Sequence, residues 1–170
     1  MSGCGADRLA SAGYARHLCP MSPFHSHMQI ALAEASAAAA RGEVPVGAVI
    51  TSPDGQVIAA AGNRTREVRD PTAHAEMLAI RAACAHLGQE RLTGFDIHVT
   101  LEPCAMCAMA IAHARLRRLY YGAADPKSGG VAHGARVFTH PQAHHVPEIY
   151  DGIDARAAEA LMREFFRKLR

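Results

Sequence analysis

The sequence predicts an α/β fold carried on a mixed sheet, and three observations lead there. Stretches with helical periodicity alternate with short runs rich in Val, Ile and Leu. Two of those runs flank Ser52-Pro53-Asp54-Gly55, which reads as the turn of an antiparallel hairpin. Strand, helix and strand then follow one another over residues 95–122, a βαβ unit whose two strands have to lie parallel. At 170 residues and 49% hydrophobic, the chain is one domain of ordinary size with enough apolar surface for a real core. Trp is absent and aromatics make up 5%, so that core is expected to be aliphatic layers between helices and sheet.

In chain order, residues 1–23 mix Gly, Ser, Ala, Arg and Pro without periodicity and read as a disordered extension. Two other readings are a start site at Met21 and a short arm that touches RNA. The domain proper is expected over residues 24–170. Residues 24–41, with Met28, Ile30, Leu32 and a run of Ala, predict an amphipathic helix that Gly42 stops. Residues 44–51 and 56–61 are the hairpin strands, and Gly47 marks a close backbone approach. Residues 63–70 are a polar loop. A helix opened by Pro71-Thr72-Ala73 runs to about Leu87, with Met77, Leu78, Ile80 and Ala83 inward, Cys84 in the core and Gly88 as its stop. The strand over 95–101 alternates Ile97, Val99 and Leu101 with Asp96, His98 and Thr100. A helix over 104–114, a strand over 119–122 and a last helix over 154–170 complete the chain.

Two pieces carry chemistry: His74-Ala75-Glu76, and Pro103-Cys104-Ala105-Met106-Cys107. Two cysteines three apart behind a proline suit the first turn of a helix, where both sulfurs can face one ion. With His74 as third ligand, a Cys₂His zinc set leaves the fourth position to water, the arrangement of catalytic rather than structural sites. Zinc brings that water toward ionisation at neutral pH, and Glu76, two residues from a ligand, can carry its proton without binding the metal. The resulting hydroxide can attack an electron-poor ring carbon that bears an amine, and delivery of the proton to the ring and then to the leaving nitrogen expels ammonia. This H-x-E…P-C-x-x-C pattern is the signature of zinc nucleobase deaminases. The competing readings are a redox C-x-x-C pair, and a closed structural zinc site with His98 or His113 as fourth ligand.

Overall charge excludes little, since 18 Lys and Arg stand against 16 Asp and Glu. No run reaches the ~18 apolar residues of a membrane span, and no hydrophobic signal core opens the chain, so a soluble cytoplasmic protein is expected. Five cysteines, two of them already assigned to the metal, fit a reducing compartment.

Beyond the zinc signature, the chain resembles the bacterial tRNA-specific adenosine deaminases of the cytidine deaminase-like superfamily. Glu43-Val44-Pro45-Val46-Gly47-Ala48, Asn63-Arg64, residues 70–76, 99–107 and 122–130, and Phe165-Phe166-Arg167 all look like that family's. The zinc signature alone is shared with cytidine, guanine and riboflavin-pathway deaminases. The Asp125-Pro126-Lys127-Ser128-Gly129 loop and the Phe-Phe-Arg helix are what look like the RNA enzyme.

The resemblance implies a three-layer α-β-α fold with a five-stranded mixed sheet, and hydrolytic conversion of adenosine to inosine at the wobble position of a tRNA anticodon, in practice an arginine tRNA. It implies a homodimer with one zinc ion per subunit and an anticodon stem loop as partner. Residue by residue, His74, Cys104 and Cys107 match zinc ligands, Glu76 the proton shuttle, Asn63 a residue that hydrogen-bonds the flipped base, and Asp125 a loop acid that meets a ribose. Two basic clusters are compatible with this: residues 163–170, which combine cations with Phe165 and Phe166, and Arg115, Arg117 and Arg118. Each of these also reads as core anchors and a solvated face. His133, His140, His144 and His145 line an RNA path or cap loops. The alternatives in function are a guanine or cytidine deaminase and, outside catalysis, a zinc-stapled binding module.

Overall fold

The computed structural model of the protein describes residues 27–169. The extension expected over residues 1–23, and the expected start of the first helix at Phe24, lie outside the described residues. Five strands form one mixed sheet in the order β2-β1-β3-β4-β5. β1 (Gly47–Thr51) and β2 (Val57–Gly62) are the antiparallel hairpin. β3 (Asp96–Leu101) runs antiparallel to β1 and parallel to β4 (Arg118–Ala123), and β5 (Glu148–Tyr150) lies parallel to β4 at the edge. α2 (Ala75–Leu87) and α3 (Ala105–His113) pack on one face around Ile50, Ile97, Val99 and Leu119. α1 (Met28–Ala40) and α4 (Ala155–Lys168) cover the other around Val49 and Ala158, which completes the α-β-α layering.

The hairpin turn closes as its residues dictate. Gly55 takes φ +87°, its N–H donates to Ser52 O at 2.9 Å, and Ser52 Oγ accepts the Gln56 N–H at 2.9 Å. The close approach at Gly47 is real and has a partner. Gly47 pairs with Gly62 across the hairpin, and α1 lies directly over that pair. A Cβ on Gly47 would run into Ala31 O and stand 2.7 Å from Ala35 N, while one on Gly62 would stand 2.5 Å from Glu34 O. Ala31, Ala35 and Ala38 are the fully buried face that the glycine pair receives, which accounts for the alanine run. Neither backbone can retreat without opening the other layer. Gly47→Ala is therefore expected to destabilise the fold by ~3 kcal/mol or more, read as a lowered urea midpoint at unchanged slope.

Four expectations need correction. β1 begins three residues late, because Val46 N–H donates to Val44 O at 2.8 Å and turns the chain at Pro45 before the ladder starts. α2 begins at Ala75 rather than in the Pro71-Thr72-Ala73 run, with His74 as an extended N-cap at ψ 152°. Its inward face is Ala75, Glu76, Ala79, Ile80 and Ala83, leaving Met77 and Leu78 half-buried; Ile30 on α1 is 39% exposed. Asp96, His98 and Thr100 do not face water, since α1 and α4 cover that side of β3. Thr100 Oγ1 accepts the Gly47 N–H at 3.1 Å, and Asp96 holds Arg117 through two bonds of 2.7 and 2.8 Å.

Candidate metal centre

The C-terminal end of β3 delivers Glu102-Pro103-Cys104, and Cys104 is the N-cap of α3. His74 is the N-cap of α2, so two helix N-termini converge where the sequence placed the metal. His74 Nδ1 lies 3.7 Å from Cys104 Sγ and 3.5 Å from Cys107 Sγ, and the three ligand atoms lie within 4.8 Å of one another. A tetrahedral zinc about 2.3 Å from sulfur and about 2.0 Å from nitrogen sets N···S at roughly 3.5 Å. The side chains thus already stand at the spacing the ion requires.

Electrostatics fits the same ion. The Cys104 thiol is pulled down to about 4, first by the hydrogen bond from Cys107 and then by His74, so it is a thiolate at neutral pH. Cys107 is pushed up by that same thiolate and by burial. A dication between the two sulfurs removes the conflict and allows both thiolates. Among the described residues no other cluster of three or more His, Cys, Asp or Glu side chains is placed to hold a metal. His98, one alternative fourth ligand, is on the far face of the sheet, stacked on Tyr120 with ring centroids 4.6 Å apart. Burial, first of all, and the neighbouring His27 hold it at about 4 and hence neutral. His113, the other, is an exposed residue at the opposite end of α3 from Cys104.

Glu76 is 3% exposed, and its Oε2 is the one buried side-chain oxygen or nitrogen among the described residues without a hydrogen-bond partner. Burial pushes its carboxyl up from the ordinary range. A buried acceptor with nothing to accept from is expensive, and in this position it suits a water or substrate proton. Asn63 is buried beside it, and its Oδ1 accepts the N–H of Ala75, the residue between His74 and Glu76, at 2.8 Å. The asparagine thereby ties the loop before α2 to the helix end that presents the site.

Asp125 lies in the loop two residues beyond β4, where its Oδ1 accepts the Lys127 and Ser128 N–H groups at 3.1 and 3.0 Å. With Leu101, Arg163, Phe166 and Arg167 it lines an open groove of about 1050 Å³. The two phenylalanines divide the roles that the sequence left open, with Phe165 8% exposed in the core and Phe166 45% exposed at the groove. The Arg115, Arg117, Arg118 cluster is largely committed, because Arg117 binds Asp96 and Arg118 binds Glu148 at 2.8 Å. Three of the four histidines hold loops: His133 on Glu102, His140 on Ala135 O and His145 on Leu116 O.

Two buried acids were missed by sequence reasoning. Glu43 accepts from Thr65 Oγ1 and from the Arg66 and Glu67 N–H groups at 3.1, 2.9 and 2.8 Å, fixing the loop that leads toward His74. Glu102 does the same for the loop after β4. Burial alone would raise the Glu102 carboxyl, but the N–H donors around it outweigh that and hold it below the ordinary range. A lone Glu beside Val44-Pro45 or Pro103 carries no periodic signal, and its donors are far away in sequence.

Comparison with known proteins gives the same assignment. Residues 21–123 match the family described as cytidine and deoxycytidylate deaminase zinc-binding region. A tRNA-specific adenosine deaminase from Agrobacterium fabrum is 57% identical over 143 residues, covering 84% of this chain and 93% of the relative. A structure solved in work on A-to-I editing by tRNA:A34 deaminases at the wobble position of transfer RNA superimposes with TM-score 0.77 at 57% identity, over 79% of this chain and 96% of that one. A guanine deaminase from Nitrosomonas europaea superimposes with TM-score 0.71 at 26% identity, over 82% of each chain. With His74, Cys104 and Cys107 placed so that they could hold a metal ion, the chain belongs to the zinc-binding cytidine and deoxycytidylate deaminase family and, within it, to the tRNA-specific adenosine deaminases.

Proposed function

We propose that this protein hydrolyses adenosine to inosine at the wobble position of a tRNA anticodon. The observation that carries the chemistry is the unpartnered Glu76 Oε2 beside the His74, Cys104 and Cys107 set. His74, Cys104 and Cys107 would hold zinc, which when bound supplies the Lewis acidity that makes a water nucleophilic near neutral pH. Glu76 takes one proton from the attacking water and passes it to the ring nitrogen, then moves the second proton from the added hydroxyl to the amine as the C–N bond breaks. The water oxygen becomes the carbonyl of inosine, and the amine leaves as ammonia. Asn63 holds the N-terminus of α2, so that Glu76 meets the ring from a fixed direction and the asparagine amide stands near the flipped base. Asp125 is proposed to meet a ribose, which would favour RNA over DNA.

RNA is favoured over a free base by the groove that Asp125 shares with α4, where Phe166 offers a stacking face between Arg163 and Arg167. An anticodon loop can splay out its bases, which lets adenine enter a deep pocket at modest unstacking cost. We also propose a homodimer through α3 and a cytoplasmic location with the tRNA pool. Cys107, Ala108, Ile111 and Ala112 of α3 are buried, whereas Met106, Met109 and Ala110 are half-open and Ala105 is exposed, a small apolar face that a second copy would cover. Among the described residues no helix is long and apolar enough to cross a membrane.

The deciding experiment incubates the zinc-loaded protein with an anticodon stem loop, adenosine, cytidine and guanine, and assays inosine and ammonia. Inosine is expected in the stem loop alone, with RNA affinity that falls as salt rises because phosphate contacts release counterions. Efficient turnover of a free base or nucleoside would reassign the substrate. Sedimentation at micromolar protein should give a dimer, and an active monomer would remove that part of the proposal.

A further inference from the structure

Glu102 forms part of β3's exit, but nothing in the strand requires a carboxylate there. Its side chain is fully buried, and a buried charge is tolerated only when donors replace its lost water. Here every donor comes from a single loop. Oε1 accepts the N–H groups of Val131, Ala132 and His133 at 3.1, 2.9 and 3.0 Å. Oε2 accepts the Asp125 N–H at 3.1 Å and faces His133 Nδ1 at 2.7 Å. The same loop is pressed against the metal helix. Gly130 N–H donates to Pro103 O at 2.8 Å, Gly129 bridges to Cys104, and a Cβ on Gly130 would stand 2.5 Å from Ala105 N. One carboxylate therefore fixes both ends of the loop over residues 125–133, and its Asp125 end is a wall of the groove lined by Phe166.

We propose that Glu102 is a positioning residue for the RNA: it locks the loop over residues 125–133 to the Cys104 end of α3, so that the groove wall bearing Asp125 stands at a fixed place beside the metal centre. It acts on substrate capture and not on bond-making, since the loop lies between it and the groove. The inference rests on the reading of this protein as a deaminase of an anticodon stem loop.

Glu102→Gln separates the two halves of the clamp. With the amide oxygen at the Oε1 position, the backbone N–H groups of residues 131–133 keep their acceptor, while the amide nitrogen at the Oε2 position leaves the Asp125 N–H without one and turns a donor toward His133 Nδ1. The variant is expected to keep one zinc per chain and to raise KM for the stem loop ~10-fold or more, with kcat changed less than about threefold, the size of one lost charge-assisted bond. Hydrogen exchange should speed at the Asp125 amide and stay slow at residues 131–133. Gly129→Ala tests the same clamp without altering the charge. Its Cβ would stand 2.5 Å from Asp125 O and from Glu102 Oε1 and should push the Asp125 end of the loop off the carboxylate, giving the same rise in KM. If Glu102→Gln fails to fold, Gly129→Ala decides. Unchanged KM in either folded variant, or loss of zinc or of kcat at constant KM, overturns the inference. Absence of stem-loop deamination by the unaltered protein fails the substrate reading instead.

Discussion

Glu76→Gln is expected to leave the fold and one zinc ion per chain in place while lowering deamination ~10²- to 10⁴-fold, the range for removal of a positioned general acid–base. Retention follows from geometry. Glu76 is 3% exposed and isosteric with glutamine, and it is not among the His74, Cys104 and Cys107 donors that cluster within 4.8 Å. The burial that raises its carboxyl pKa is relieved when the charge is removed, so the variant should melt no lower than the parent. Zinc content, thermal melting and single-turnover rates on the stem loop measure the three quantities. A variant that turns over normally would remove Glu76 as the proton carrier, and one that loses zinc would make it a ligand.

Removal of the metal should have the second large effect. Cys107→Ala empties a fully buried position of α3 and deletes one of the three proposed ligands, so zinc content should fall to a small fraction of one per chain and activity should fall below detection. Stability should fall as well, because metal binding at such a site is linked to folding. Acidification of the unaltered protein should release zinc, because the ligands are needed as thiolates and neutral imidazole and protons compete for them. The sign can be read at His74. Its pKa is raised, first by the hydrogen bond to Cys104, so in the metal-free protein it takes up a proton at a higher pH than a free histidine would. Metal release measured against pH should therefore increase on the acid side, and zinc retention that rises as pH falls would contradict the ligand set.

The sequence alone determined the four α-helices, four of the five strands and the zinc-deaminase signature, but not the edge strand β5. The mixed sheet, the hairpin at Ser52-Pro53-Asp54-Gly55, the βαβ unit and the convergence of His74, Glu76, Cys104 and Cys107 were legible because each rests on residues close in sequence whose spacing has a physical meaning. The strand end that delivers Cys104 was legible for the same reason. What only the tertiary structure decided depends on partners distant in sequence. β3 buries its polar alternation because α1 and α4 cover that face, which periodicity cannot announce. Phe165 and Phe166 are adjacent and chemically identical, and only the packing of α4 on the sheet sends one inward and leaves the other at the groove. Arg117 and Arg118 read as free cations until Asp96 and Glu148 are brought to them across strands. Glu43 and Glu102 look like surface acids in the sequence. They become clamps because folding surrounds each carboxylate with backbone N–H groups from a loop more than twenty residues away, enough donors to replace the water each carboxylate gives up on burial.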